Sequence, residues 1–295
     1  MENYHRYHFQ VEANINNTTL KKYLSSKGFS AKLIKRIKTK GSFWVNGIEK
    51  TIIAEIKAGD RLVIDFGKEE PEINPENIPL KIIYEDDDLL VVNKDPFQVV
   101  HPTRRHLSGT LANAATYHFL QKGIMAKARF INRLDRDTSG IILISKNTYA
   151  HEFIQRQLKS QQVKKTYWAL VEGHLKFRNG VIDAPIGRPC PFSIVRSVME
   201  GGQEAITNYK VLKEFSNLSL LELAPLTGRT HQLRVHLAYI GHPIIGDSLY
   251  KETENPLLNR QALHAKKIEF VHPRTKKKLI ITAELSADIL DLVHR

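Results

Sequence analysis

Residues 129–144 have the sequence RFINRLDRDTSGIILI, in which a polar turn runs into the apolar strand Ile141–Ile144. The turn places the carboxylate of Asp135 between Arg133 and Arg136. A carboxylate beside fixed cations stays ionised, and an ionised carboxylate on a loop can act as a nucleophile. The same turn would also suit a surface loop with solvated charges, so the neighbouring patterns have to decide between the two interpretations.

A second carboxylate, Asp137, lies two residues beyond Asp135. Glycoside hydrolases use paired carboxylates, which they hold roughly 5 to 9.5 Å apart in a sugar-binding cleft. Asp137 precedes Thr138-Ser139-Gly140, a sequence typical of local turn hydrogen bonds, and we expect it to make such bonds. A glycoside hydrolase that uses both carboxylates is an alternative, but the basic charge of the chain supports it poorly.

Residues 226–236, LTGRTHQLRVH, place cations at the start of a predicted helix. Gly228 permits a tight entry into that helix, and Arg229 would then lie near its first turn, within reach of a carboxylate or phosphate. His231 and His236 are five residues apart with no glutamate between them, unlike a zinc-binding HExxH helix. We therefore predict an anion-binding helix start and no metal site.

An alternating strand pattern covers residues 164–171, KKTYWALV, and places Tyr167 on the same face as Ala169 and Val171. A tyrosine there is normally a core residue, but beside a nucleic-acid site it could stack on a base or move a proton. The loop His101–His106 is basic and has no carboxylate or cysteine in the register of a metal site. We expect it to contact phosphate.

The composition favours a nucleic acid as the partner. The 295 residues carry a net charge of +13 with a pI near 9.6, which suits a polyanion better than a membrane. No stretch approaches the roughly 18 to 20 apolar residues of a transmembrane helix, and the polar N-terminus lacks a signal-peptide core. The single cysteine, Cys190, fits a reducing cytoplasm. Motifs for nucleotide cofactors do not occur.

The chain divides into two units joined by a linker. Residues 1–67 read helix, helix, strand, strand, with the turn dipeptide Asn46-Gly47 between strands. Residues 68–79 are acidic and rich in proline, without apolar periodicity, and we interpret them as the linker. In residues 80–295 strands come in clusters rather than in strict alternation with helices, which favours an α+β domain over a doubly wound parallel sheet.

The second predicted helix of the first unit is basic and nearly free of acids. Such a run is often only a solvated face, but beside a small fold it favours a strip that binds the phosphates of a nucleic acid. The cations of this strip are Lys32, Lys35, Arg36, Lys38 and Lys40.

Together these motifs resemble the RluA family of pseudouridine synthases. The family motif that holds the catalytic aspartate, HRLDxxTSGL, reads NRLDRDTSGI at residues 132–141. The KxYxALV segment is present at 165–171, and the third signature is similar to 227–236 followed by 241–247. The entry segment, 91–94 with 101–103, is similar too. The resemblance covers about residues 80–295, while residues 1–67 are similar to the RNA-binding domain named for ribosomal protein S-four.

The resemblance implies a mixed, largely antiparallel sheet flanked by helices, and an isomerase that converts uridine in RNA to pseudouridine without a metal or cofactor. Asp135 would be the nucleophile, and Arg229 would pair with it. Tyr167 would stack under the base and assist proton transfer. Whether the aspartate attacks the ribose or abstracts a proton to give a glycal stays open.

The resemblance also implies contacts to the substrate. Leu233 would pack against the uracil, and Arg133 would fill the stack that the flipped nucleotide leaves. We expect His101 and Arg136 to bind substrate as well. The implied partner is RNA, with the large ribosomal subunit favoured and transfer RNA as an alternative, and we expect a cytoplasmic monomer without membrane contact.

One position departs from the family pattern: Asn132 stands where the family has histidine. Asparagine can donate and accept hydrogen bonds but cannot titrate, so a catalytic base at this position would be lost. We interpret the position as one that orients its neighbours. A non-catalytic RNA-binding or ribosome-assembly factor that keeps the fold is the second hypothesis.

Overall fold

The first unit of the chain is a small antiparallel sheet packed against two helices. The computed structural model describes residues 4–104, 106–251 and 257–294. The elements of this unit are β1 (Arg6–Gln10), β2 (Thr18–Thr19), α1 (Leu20–Ser26), α2 (Ala31–Lys40), β3 (Ser42–Val45), β4 (Ile48–Lys50), β5 (Glu55–Ile56) and β6 (Arg61–Asp65). The sheet has the order β1-β6-β3-β4. As the sequence predicts, the β3–β4 hairpin turns at Asn46-Gly47, where both residues have positive φ.

The second unit is built on a ten-stranded sheet with helices beside it. Its elements are β7 (Ile82–Glu85), β8 (Leu89–Lys94), α3 (Leu111–Gln121), β9 (Arg129–Phe130), β10 (Ser139–Ser145), α4 (Thr148–Lys159), β11 (Lys164–Glu172), β12 (Asn179–Asp183), β13 (Ile186–Gly187), β14 (Ser197–Val198), β15 (Ile206–Glu214), β16 (Leu218–Pro225), α5 (Gln232–Tyr239), β17 (Leu263–Val271), β18 (Lys278–Thr282) and α6 (Ala287–His294).

The order of the large sheet is β12-β15-β16-β11-β17-β10-β8-β7, with β18 added to β17 and β9 added to β10. All of its pairs are antiparallel except β10 with β17. The prediction of an α+β fold with a mixed, largely antiparallel sheet is therefore confirmed. Within the described residues, no helix is both long and apolar enough to cross a membrane.

The strand β10 lies at the centre of the fold, and every one of its residues is buried. It begins with the parallel pairs Ser139–His264 and Gly140–Ala265. Gly140 has a φ of +112°, and a Cβ there would lie 2.4 Å from the carbonyl oxygen of Ala265. Only glycine permits this approach, so the TSG sequence fixes the place where the turn after Asp135 enters the sheet.

The two units share a buried aromatic contact. Tyr149 on α4 belongs to the core of the first unit, where it stacks on Phe29 with ring centroids 4.4 Å apart. Its hydroxyl donates a hydrogen bond to the carbonyl of Lys27 at 3.0 Å. Arg274 forms a two-point ion pair with the buried Asp88 and also donates to the carbonyl of Arg6. Apolar packing and ion pairing thus join the two units directly.

Residues 68–79 contain no helix or strand but lie against both units. Glu69, whose side chain is 8% exposed, forms ion pairs with Arg36 of α2 and with Arg129 of β9. Further along, Asn113 on α3 donates to the carbonyl of Asn74 at 2.8 Å. These contacts hold the segment on the protein surface along its length.

Candidate active site

A pocket of about 270 Å³ opens beside Asp135. It lies where the turn before β10, the strand β11 and the loop before α5 meet. Its polar and charged lining includes Asn132, Arg133, Asp135, Lys165, Tyr167, Arg229, His231 and Arg234, and its apolar wall includes Ile131, Leu134, Leu233 and Leu263. The structure thus brings together the three motifs that the sequence separates by almost a hundred residues.

Two buried cations shape the turn that carries Asp135. The ammonium of Lys94, a residue that is 1% exposed, donates to the carbonyls of Asp95, Gln98 and Arg136 at 2.8–3.0 Å. The guanidinium of Arg260 donates to the carbonyl of Asp137 at 3.0 Å. The carbonyls of Arg136 and Asp137, the two residues after Asp135, are thus both hydrogen-bonded to buried cations. These bonds fix the position of the turn relative to the pocket.

The carboxylate of Asp135 pairs with Arg234. The Nη1 of Arg234 donates to Oδ2 of Asp135 at 3.3 Å, and the other edge of the guanidinium binds the buried Asp247. The Nε2 of His231 lies 3.9 Å from the same Asp135 oxygen. The Asp135 side chain is 28% exposed, so it faces the pocket and a substrate can reach it.

The prediction that Arg229 pairs with Asp135 is wrong, because Arg234 takes that place in the structure. Arg229 lines the pocket, but its Nε donates to the carbonyl of Glu204 at 2.9 Å. The physical reason is the start of the helix. The sequence places that start directly after Gly228, whereas α5 begins at Gln232, so the arginine in its first turn is Arg234.

Sequence reasoning missed Arg234, although one signal could have identified it. Arg234 follows Leu233 and precedes Val235 and His236 on a helix where all four residues are buried. A guanidinium between buried neighbours requires an acidic partner, because an unpaired buried charge is strongly unfavourable. An arginine in a mostly apolar helical run therefore indicates a carboxylate elsewhere in the fold.

Tyr167 lies on β11 and lines the pocket with its ring. The pairing of β11 with β17 changes register between Thr166 and Tyr167, and such an irregularity redirects a side chain. Burial and the nearby charge of Asp135 raise the pKa of Tyr167 to about 12. The phenol thus keeps its proton at neutral pH and can donate a hydrogen bond. Leu233, 7% exposed, contributes an apolar part of the wall.

His231 has an unusual backbone at the start of α5. Its φ of +57° is left-handed, a conformation that non-glycine residues rarely adopt. The ring Nδ1 lies 2.9 Å from the hydroxyl of Tyr250, and burial lowers the pKa of His231. The ring is therefore held between Tyr250 and Asp135, at the pocket wall.

Lys165 also lines the pocket. It belongs to the KKTYWALV segment, but the sequence motif assigns it no role. Its ammonium makes no hydrogen bond or ion pair with any residue in the described ranges. Burial lowers its pKa, and no carboxylate contributes to that shift. It therefore adds a cation without a protein partner to the wall of the pocket.

The remaining predicted substrate contacts lie in different places. Arg133 is exposed at the pocket edge. Arg136 pairs on the surface with Asp137 at 2.7 Å. His101 stacks edge-on against Phe130, beside a separate cavity of about 300 Å³. Arg105, in the same basic loop as His101, lies outside the described residues. Of Arg133, Arg136 and His101, Arg133 alone lines the pocket of Asp135.

Asn132 has a structural task. Its Nδ2 donates to the carbonyl of Ile141, and its Oδ1 accepts from the amide of Leu143, both at 2.9 Å. The side chain thereby binds the backbone of β10 at two positions and fixes the start of the turn that carries Asp135. This supports the interpretation that the position orients its neighbours.

The basic strip on α2 is mostly solvent-facing. Lys32, Lys35, Lys38 and Lys40 are exposed, while the guanidinium of Arg36 is occupied by Glu69. Four of the five predicted cations are therefore available to a ligand, and the fifth connects α2 to the linker segment.

In the part of the chain that the structure describes, one cluster of side chains has atoms close enough to hold a metal ion: Asp86, Asp88 and His272, within 4.8 Å of one another. Oδ2 of Asp86 lies 2.7 Å from the His272 ring. Asp88 accepts two hydrogen bonds from Arg274 and one from Asn147. Because each carboxylate already has protein donors, the geometry favours an ion-pair cluster of the second unit, which Arg274 connects to the first unit through the carbonyl of Arg6.

Comparison with known proteins places the site in context. Residues 88–239 match the family model described as RNA pseudouridylate synthase. The chain is 38% identical to an uncharacterized RNA pseudouridine synthase of Bacillus subtilis (strain 168), covering 93% of this chain and 98% of the relative. It is 41% identical to the ribosomal large subunit pseudouridine synthase D of Blochmanniella floridana, covering 78% and 76%. The structure of human RNA pseudouridylate synthase domain containing 1 is similar at a TM-score of 0.59 and 30% identity, covering 71% and 84%.

Proposed function

The chain belongs to the RluA family of RNA pseudouridine synthases and is an isomerase that acts on RNA, and from this we propose that its substrate is a uridine in the RNA of the large ribosomal subunit. The observation that supports this substrate is the similarity to synthases named for that subunit, at 36% to 41% identity over about four fifths of the chain. Modification of transfer RNA is the alternative. We propose that the enzyme works as a monomer in the cytoplasm, without a cofactor.

In the proposed mechanism Asp135 is the nucleophile. The bond between N1 of uracil and C1′ of ribose breaks, the detached uracil turns, and C5 forms the new bond to C1′. The proton on C5 then moves to N1, so the reaction conserves atoms and oxidation state. Both routes for Asp135 fit this balance. Attack on C1′ forms an ester that breaks when C5 bonds to C1′, whereas removal of the C2′ proton gives a glycal and Asp135 returns that proton as C5 bonds to C1′.

The other pocket residues support this chemistry by position. Arg234 directs one N–H at Asp135, and the ring of Tyr167 offers a surface for the base. The protonated phenol can donate to a carbonyl or nitrogen of the detached uracil. Leu233 supplies apolar contact. The uridine must leave its stack to enter, because a stacked and paired base hides both reacting centres, and Arg133 at the pocket edge can occupy the space that it leaves.

The substrate class can be tested by mapping pseudouridine in all RNA of cells with and without this protein. We expect one or a few sites in large-subunit ribosomal RNA to lose pseudouridine when the protein is absent and to regain it when it is restored. Loss confined to transfer RNA would replace the proposed substrate. Binding of RNA with no change at any uridine would favour a non-catalytic assembly factor.

We propose that residues 1–67 form an S-four-like RNA-binding domain, followed by the linker 68–79 and the catalytic domain 80–295. The exposed lysines of α2 support this role. Changing Lys32, Lys35, Lys38 and Lys40 together to glutamine in the full chain should weaken RNA binding and reduce the slope of log K against log salt by about 3, since each phosphate contact releases close to one counterion. The measurement is a salt titration of RNA affinity.

The control for this prediction is Lys278→Gln, which removes an exposed lysine on β18 that already pairs with Glu269 on β17. Its salt slope should equal that of the unchanged protein. If the fourfold variant also kept the original slope, α2 would not be the phosphate-binding surface.

A further inference from the structure

We infer that Asp247 is a positioning residue for the isomerase reaction: it holds Arg234 so that a single N–H of the guanidinium reaches Asp135. The inference rests on the proposed role of Asp135 as the nucleophile. Asp247 lies in the turn after α5, within the last signature that the sequence shares with the family, and the sequence alone suggests no role for it.

The contacts between Asp247 and Arg234 are short and made at two points. Oδ2 of Asp247 accepts from Nε of Arg234 at 2.7 Å, and Oδ1 accepts from Nη2 at 2.6 Å. This uses one full edge of the guanidinium. Asp247 is 2% exposed, so water does not weaken the pair, and a bidentate pair of this kind fixes the plane of the arginine.

The consequence for Asp135 is geometric. With the Nε edge occupied, Arg234 reaches Asp135 through Nη1 alone, at 3.3 Å to Oδ2. Within the described ranges, Oδ1 of Asp135 accepts no hydrogen bond from a side chain or backbone amide. One carboxylate oxygen is thus oriented by the arginine while the other is free for the reacting ribose.

The balance of charge around Arg234 also favours a single hydrogen bond to Asp135. Two carboxylates share one guanidinium, so the group carries one net negative charge, and the attraction of Arg234 is divided between them. Without Asp247, Arg234 could turn both N–H groups of one edge toward Asp135 in a tight two-point pair. Such a pair would occupy the oxygen that has to react.

The surroundings of Asp247 hold it in place. Its carbonyl accepts from the amides of Tyr250 and Lys251, and Leu249 donates to its Oδ1 at 3.3 Å. Before it, Gly246 has a φ of +74°, and a Cβ there would lie 2.2 Å from the carbonyl of Arg260. The Tyr250 ring lies 5.1 Å from the guanidinium of Arg234. The turn therefore holds the carboxylate on one side of Arg234 and the tyrosine on another.

The test is the single-turnover rate of pseudouridine formation with the enzyme in excess, on total RNA from cells that lack this protein. That RNA contains ribosomal and transfer RNA, so the result does not depend on which one is modified. Asp247→Asn should lower the rate about 100-fold, the effect of a misplacement near 1 Å, with RNA affinity unchanged within about twofold. Asp291→Asn, an exposed carboxylate on α6, should keep the original rate.

A double-mutant cycle separates positioning from general structural damage. Arg234→Lys alone should lower the rate by a similar factor, because lysine cannot make the two-point pair. Adding Asp247→Asn to that variant should cost less than about threefold more, since residues that act as a unit are not additive. A further full 100-fold loss, or no loss in Asp247→Asn alone, would overturn the inference.

Folding and nucleophile controls keep the outcomes distinct. Thermal unfolding of each variant shows whether it is folded. If Asp247→Asn does not fold, the Arg234→Lys variant, tested alone, must still show a rate loss with unchanged RNA affinity, and a normal rate in it would refute the inference. Full activity in Asp135→Asn would instead refute the role of Asp135 and leave the contact between Asp247 and Arg234 as it stands.

Discussion

The Asp135→Asn variant should form no detectable pseudouridine, a loss on the order of 10⁴-fold or more, as for other enzymes that lose their nucleophile. Asparagine has the size of aspartate and can still accept a hydrogen bond from Arg234, so the pocket should keep its shape. Its amide carries no charge and cannot attack ribose or take a proton. The measurement is the rate of pseudouridine formation in total RNA under single-turnover conditions.

The matched control is Asp137→Asn, two residues along the same turn. Among the residues that the structure describes, the Asp137 side chain pairs with Arg136 alone, and Arg260 holds the main-chain carbonyl of Asp137 instead. This variant should keep the rate within about threefold, the effect of a surface pair worth less than 1 kcal/mol. Equal losses in the two variants would mean that both carboxylates react, and full activity in Asp135→Asn would exclude it as nucleophile.

The Lys94→Met variant should lose about 3 kcal/mol of unfolding free energy, because three carbonyls lose their buried donor and each group left unsatisfied costs about 1 to 3 kcal/mol. Removing the buried charge recovers part of that cost, since burial opposes the ammonium and lowers the pKa of Lys94 to about 7. Methionine fits the volume of the chain without supplying a donor. Urea unfolding of the purified protein measures the change.

Activity should fall together with stability in this variant, because one of the three carbonyls belongs to Arg136, directly after Asp135. The control is Lys81→Met. Lys81 forms an exposed pair with Asp95, with both side chains more than half exposed, and its removal should change stability by less than about 0.5 kcal/mol. A loss below about 1 kcal/mol in Lys94→Met would show that the turn does not need this cation.

Local patterns predicted much of the fold. The dipeptide Asn46-Gly47 predicted the β3–β4 hairpin, because both residues readily adopt the positive φ that the turn needs. The apolar run Ile141–Ile144 predicted the buried strand β10. The strand β1 was missed, since only Tyr7 of its five residues is fully buried and its pairing with β6 spans more than fifty residues of sequence. Such pairing depends on the completed core, which a local window cannot contain.

The site was predictable in its motifs and less so in its contacts. The motifs predicted Asp135 and Tyr167 as catalytic residues, and both line one pocket, but the partner of Asp135 depended on where α5 begins. The helix begins after His231, which has a left-handed backbone conformation and makes no capping hydrogen bond with its side chain. Histidine is not among the residues preferred at helix N-caps, so the sequence does not indicate this start. The pair of Asp247 with Arg234 joins two segments through a turn, and only the folded chain shows that they meet.

The contact of Tyr149 with the first unit affects how the protein can be made. Tyr149 belongs to the core of residues 1–67, and Arg274 donates a hydrogen bond to the carbonyl of Arg6 in that unit. During synthesis the first unit therefore leaves the ribosome without one aromatic ring of its interior and without the hydrogen bond that Arg274 donates to the carbonyl of Arg6. Its core is complete only after Tyr149 has emerged, and its contact with Arg274 only later still, so the first unit should mature after much of the second has been synthesised.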